Sequence, residues 1–145
     1  MISPGEFALM LNEAAIKIEA ELVVPTETLM LEVAEVARAA IGTYDFGWQQ
    51  LSDVTKADRV RLGYTENDPL KRTGQLQESV VGEAEPTPYG AKGVVGSDDP
   101  IAIFHEFGTS RMPPRAVFST AMMLAEESAT KIFGEFVMKT LSFRP

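Results

Sequence analysis

The sequence predicts an α+β fold in which a small antiparallel β-hairpin packs against long N- and C-terminal helices. Three observations carry this. The first forty and the last thirty residues repeat apolar side chains at helical spacing, residues 79–97 switch to short β-type runs, and Gly and Pro mark the joints between these regions. The 145 residues read as one domain with a helical N-terminal part (1–42), a motif-rich loop (43–75), a hairpin (79–97) and a C-terminal helix (115–141).

Ser3-Pro4-Gly5-Glu6 opens the first helix: Ser3 can cap it, Pro4 suits the first helical position and Glu6 can reach back to the cap. Phe7, Met10/Leu11, Ala14, Ile18 and Leu22 form its predicted buried stripe. Pro25 disfavours a helical Val24, so a second helix is expected from near Thr26, with Leu29, Val33, Val36/Ala37 and Ala40 on its inner side and Gly42 beyond its end. Ser52 caps a short helix carrying Val54, Ala57 and Val60, and residues 63–69 form a polar loop. Thr73-Gly74 opens one turn of helix over Gln75–Glu78.

Ser79–Glu85 and Lys92–Ser97 read as strands joined through Pro86, Pro88 and Gly90, a connection too long for a two-residue turn. Such a hairpin leaves two unpaired edges open to a neighbouring subunit. Asp99-Pro100 starts a two-turn helix with Ile101, Phe104 and Phe107 expected inward and Gly108 as its stop. Thr109–Pro114 is expected extended because Pro113 and Pro114 restrict the residues before them. From Arg115 to about Leu141 a single helix is expected, with Phe118, Ala121/Met122, Ala125, Ala129, Ile132/Phe133 and Phe136/Val137 on one face.

Composition narrows the function. Lys and Arg number 13 against 21 Asp and Glu, a formal charge of -8, which argues against a nucleic-acid reader. The absence of Cys excludes disulfides, thiolate metal sites and Cys nucleophiles, and one His leaves little room for histidine metal sites. No apolar run approaches a membrane span and no signal-peptide pattern opens the chain, so synthesis is expected to end in the cytoplasm. The charge is segregated: residues 1–40 and 76–110 are acidic, and residues 111–145 are mildly basic. These are solvated faces or the unlike ends of a self-complementary assembly.

His105-Glu106 is the one spot resembling a reactive site. Thr109 stands where a zinc protease needs its second His, and no nucleophile-elbow pattern surrounds it. His105 therefore reads as a structural or interface residue; a small hydrolase using His105 and Glu106 is the rival from another class. No phosphate-binding loop is present. Asp98-Asp99 reads as a helix cap rather than a divalent-ion site, Glu126-Glu127 as a solvated face, Trp48 as a packing aromatic, and Met10, Met122 and Met123 as core filler. No catalytic, cofactor or metal residue is assigned. Arg111 and Arg115 flank a rigid Met112-Pro113-Pro114 segment, placed for a carboxylate. That carboxylate is either Glu106 of the same chain or a group on a neighbouring subunit.

Five blocks stand in order: Trp48-x-x-Leu51-Ser52-x-x-Thr55, Pro69-Leu70-x-Arg72-Thr73-Gly74-x-Leu76-x-x-Ser79, Val95-Gly96-Ser97, His105-Glu106-Phe107-Gly108-Thr109, and Met112-Pro113-Pro114-Arg115-x-x-Phe118. Their order and spacing resemble the tailed-bacteriophage neck and tail-completion proteins, which include the Mu-type virion morphogenesis proteins. The chain departs from that pattern at Gln49-Gln50 and at Ala116, where relatives often carry Pro.

The resemblance implies a non-enzymatic virion protein, made in the bacterial cytoplasm, that completes or joins the tail to the DNA-filled head as a ring, with six copies favoured. Its implied partners are a head-closure or connector protein and a tail terminator or tail tube protein, with DNA passing through without specific binding and no membrane. A tail terminator capping the tube is the nearest alternative. The expected interface comprises His105, Glu106, Thr109, Arg111, Met112, Pro113, Pro114 and Arg115, with Arg111 and Arg115 as anchors, together with the hairpin. Trp48, Leu51, Leu70, Thr73, Gly74, Leu76, Phe107, Gly108 and Phe118 are expected to pack. The loops at 63–69 and 86–91 are the segments expected to order or move on docking.

Overall fold

The computed structural model describes residues 1–142. Helices α1 (Pro4–Glu21) and α2 (Val23–Ala40) are followed by α3 (Asp53–Arg61) and the single turn α4 (Gln75–Glu78). Strands β1 (Val80–Thr87) and β2 (Gly90–Ser97) form an antiparallel ribbon, and α5 (Ile101–Phe107), α6 (Phe118–Leu124) and α7 (Glu126–Leu141) complete the chain. This is the α+β arrangement expected, with the ribbon laid on α2.

The start of α1 carries the expected capping box: Glu6 N–H donates to Ser3 Oγ and Ser3 N–H donates to Glu6 Oε2. Its apolar stripe is only partly covered. Ala14 is buried, whereas Phe7 and Leu11 remain 47% and 44% exposed, because α7 and β2 meet only part of the helix. α2 begins at Val23, earlier than expected. Pro25 falls in its first turn, where a missing N–H breaks no intrahelical bond, and the chain turns only at Leu22.

α2 is the centre of the fold. Leu29, Met30, Val33, Ala34, Ala37 and Ile41 form the core with Leu76, Val80, Ala102, Val117, Ala121 and Ala125. The ribbon runs antiparallel to α2 from the Arg38 end, where Arg38 Nη2 donates to Val80 O, towards the Leu22 end. Gly82 makes this possible. A Cβ there would stand 2.1 Å from Met30 O, so any side chain would lift the ribbon off the helix.

Several expectations are corrected. The strands extend to Thr87 and Gly90, which pair, so the hairpin turn is the two residues Pro88-Tyr89 and not a 86–91 loop. Pro86 is tolerated because the two-stranded ribbon is all edge and need not use every N–H. The C-terminal helix begins at Phe118, not Arg115, because Arg115 N–H bonds to His105 O instead of entering a helix. It is also divided at Ala125, whose N–H reaches back three residues to Met122 O rather than four, which tightens the turn.

The apolar residues of α5 face outward: Ile101, Phe104 and Phe107 are 45%, 52% and 78% exposed, and it is Ala102 that enters the core. In α3 likewise, Val54 and Val60 point to solvent, and Arg59 is the buried residue. Met122 and Met123 are exposed rather than core filler. No helix among the described residues is long and apolar enough to cross a membrane.

Candidate functional site

Residues of four of the five sequence blocks line one cleft beyond the C-terminal end of α2, and the Val95-Gly96-Ser97 block is not among them. Gly42 N–H donates to Pro69 O (2.8 Å), which brings the segment leading to α4 back beside the helix end. Arg59 then ties that segment internally. Its guanidinium is buried and donates to the carbonyls of Thr65 and Lys71. The 63–69 loop expected to be loose is held by these bonds and by Tyr44 Oη donating to Asn67 Oδ1.

Gly108 ends α5 at φ +72°, with a backbone that doubles back so tightly that a Cβ would lie 2.8 Å from Pro114 N. Thr109–Met112 forms a tight turn closed by paired main-chain bonds, not the extended segment expected. Extended chain resumes only at Pro113. Arg115 is then 5% exposed, and Nε and Nη2 both donate to Gln49 O, at 3.2 and 2.9 Å. Trp48 Nε1 donates to Ala116 O (3.2 Å), and its ring stands edge-on to Phe46. Residues 48–49 and 115–116 are therefore stitched together across 66 and 68 residues of sequence.

Arg115 is thus a clamp inside the subunit, and not an exposed anchor; its acceptor is the main-chain carbonyl of Gln49, not a carboxylate. Glu106 does not pair with either arginine. Its carboxylate accepts from the N–H groups of Val117, Phe118 and Ser119 and from Ser119 Oγ, capping α6. Burial pushes the Glu106 pKa up, but these hydrogen bonds outweigh it and hold the group below the usual carboxylate range. Burial and the nearby Arg115 charge push His105 down, against a smaller upward pull from Asp99, so its imidazole is neutral at neutral pH. His105 Nδ1 is buried with no hydrogen-bond partner. Asp99 Oδ1 accepts from Ile101 N–H, which fits the capping role. The described residues contain no His, Asp and Glu grouping able to hold a metal ion.

These ties enclose an open cleft of about 690 Å³. One wall comes from Leu51, Ser52 and Thr55, a second from Leu70, Arg72, Thr73, Gly74 and Leu76, and a third from His105, Arg111, Met112, Pro113 and Arg115. Arg59, Gln49, Gln50, Gln75, Asp99 and Ile101 complete it. Leu70 lies in this wall at φ +63°, a conformation few non-glycine residues adopt. Trp48, Glu106, Phe107, Gly108, Thr109, Pro114 and Phe118 stand outside the lining: Trp48 and Phe118 pack on the core, Glu106 caps, and Phe107 is exposed.

The electrostatics are one-sided. Arg59, Arg72, Arg111 and Arg115 face Asp99 as the single carboxylate, and none of the four is in a salt bridge among the described residues. Arg59 had no signal in the sequence: it lies on a helix face that periodicity assigns to solvent.

No protein-family model, curated protein or solved structure matches this chain.

Proposed function

We propose that this chain is a structural virion protein of a tailed phage, assembling as a ring that completes the tail or joins it to the DNA-filled head. One observation carries the reading: two of the blocks that resemble neck and tail-completion proteins, at residues 48–55 and 112–118, lie up to 68 residues apart in sequence, yet are hydrogen-bonded to one another beside one cleft. Motifs that meet in space act together, and this meeting place has the polarity of a docking surface.

The uncovered surface supports assembly. α5 presents Ile103, Phe104 and Phe107 to solvent, α1 is covered on only part of its stripe, and both ribbon edges are open. A net charge of -8 suits a subunit around a channel through which DNA slides, since it repels phosphate. The partners are a head-closure or connector protein on one side and a tail terminator or tail tube protein on the other.

The test is a phage particle lacking this chain. DNA-filled heads and finished tails that accumulate unjoined support the proposal, as does density for this chain at the junction, in six copies, in the normal particle. Joined infectious particles without it overturn the proposal. Capture of tail tube without head components moves the assignment to a tail terminator.

A further inference from the structure

We infer that the arginine cleft of one subunit receives the Tyr89 tip of the ribbon of the next, a head-to-tail contact between copies of this chain. The inference rests on the self-assembly reading above and names the surface that would perform it.

The tip and the cleft complement one another. Tyr89 occupies the two-residue turn at the end of eight paired residues on each strand and is 90% exposed. Behind it, the outer face of the ribbon carries Glu83 and Glu85, of which only Glu85 meets a cation, Lys92 at 3.5 Å. Arg59 and Arg115 are committed to main-chain carbonyls, which leaves Arg72, lying over the Tyr64 ring at 5.4 Å, and Arg111, neither of them with a carboxylate partner among the described residues, to meet an aromatic face or a carboxylate. Arg72 and Arg111 line the cleft and are exposed. At about 690 Å³ the cleft exceeds one side chain and suits a ribbon tip.

A subunit cannot fill its own cleft. Gly90 abuts Leu22, at the start of α2, whereas the cleft opens beyond Gly42, past its end. The intervening 18 residues of helix span about 27 Å. Donor and acceptor at opposite ends of a rigid rod make a heterologous contact, the type that closes into a ring when its rotation permits.

Sedimentation of the full chain tests this with two variants at exposed positions, Tyr89→Ser and the pair Arg72→Glu/Arg111→Glu. Wild type is expected to sediment as rings. Each variant is expected to be a monomer with an unchanged circular dichroism spectrum, its association weakened at least about 30-fold, as for a buried aromatic or arginine anchor. The decisive sample is their equimolar mixture. One intact tip then meets one intact cleft, so dimers and nothing larger should form. Adding Glu83→Arg/Glu85→Arg to the cleft variant should restore rings. Rings of Tyr89→Ser at wild-type yield overturn the tip contact and leave the proposed function standing. A mixture that stays monomeric, or that forms full rings, overturns the head-to-tail geometry. A wild type that is monomeric at every concentration removes self-assembly and this contact together.

Discussion

Arg115 reaches 66 residues back along the chain to donate twice to the main-chain carbonyl of Gln49. That bond, with Trp48 on Ala116, closes the loop after α2 onto the segment that leads into α6.

Arg115→Ala is expected to destabilise the subunit rather than only its contacts. A hydrogen bond to a charged group contributes about 1.5–3 kcal/mol, and Arg115, buried where it forks onto Gln49 O, leaves no easy substitute. Arg115→Lys keeps the charge but loses the fork, so it should recover only part of the loss. Denaturant titration checks both; two unchanged midpoints would mean the clamp is ornamental.

The ribbon glycines should separate by what lies beneath them. Gly82→Ala drives a methyl into the backbone of Met30 and is expected to cost roughly 3 kcal/mol or more. Gly93→Ala meets side chains and no backbone, Met30 Cγ and Sδ and Thr26 Cγ2 at 2.7 to 2.9 Å, and should cost less, about 1–3 kcal/mol. Gly96→Ala meets nothing within 4 Å and is expected to be neutral. Thermal melts of the three variants in one buffer give the order directly.

Glu106 makes stability depend on acid. Its folded pKa lies below the ordinary carboxylate value, so the folded state gains above the unfolded pKa near 4.5 and loses that gain as pH falls through the folded value. Glu106→Gln should lower stability at neutral pH by about 1 kcal/mol, the scale of a lost cap, and flatten the acid limb below pH 4.5. An acid limb of wild-type steepness in the variant would contradict this.

His105 acts at higher pH and in the same direction. Its folded pKa is depressed below 6.5, so between the two values the unfolded chain binds the extra proton. Stability should therefore rise as pH climbs towards 6.5 and level off above it. Replacing the imazidole by a non-titrating amide, His105→Gln, should remove that slope, which a series of urea melts between pH 5 and 8 would reveal.

Phe107→Ser is expected to change folding stability by less than about 0.5 kcal/mol, as an exposed substitution does. Leu76→Ala, in the core, should cost about 2–5 kcal/mol. Equal losses in equilibrium unfolding would place Phe107 inside the fold after all.

Much of the local architecture was written in short-range chemistry. Ser3 and Ser52 accept from the N–H groups that their positions predict, Thr73-Gly74 opens a turn of helix over Gln75–Glu78, Gly108 stops α5, and the apolar period of α2 names its buried face. Each depends on neighbours within a turn or two, so spacing suffices to read it. The same logic read α5 wrongly. Ile101, Phe104 and Phe107 repeat as a buried stripe would, yet among the described residues they stay largely exposed, because periodicity records which side chains can be buried and not what lies opposite.

The cleft was legible only in part. Leu51, Arg72, Thr73 and Pro113 stood out by motif, but their shared wall depends on Arg59 and Arg115, whose partners are carbonyl oxygens of distant residues. Every residue carries a carbonyl, so a guanidinium seeking one leaves no mark in the sequence. Side-chain type determined the helices, the caps and the presence of a ribbon; the packing of α2 against Gly82, and the long-range bonds that pull residues 49 and 115 together, decided where those elements stand and which surface faces a neighbour.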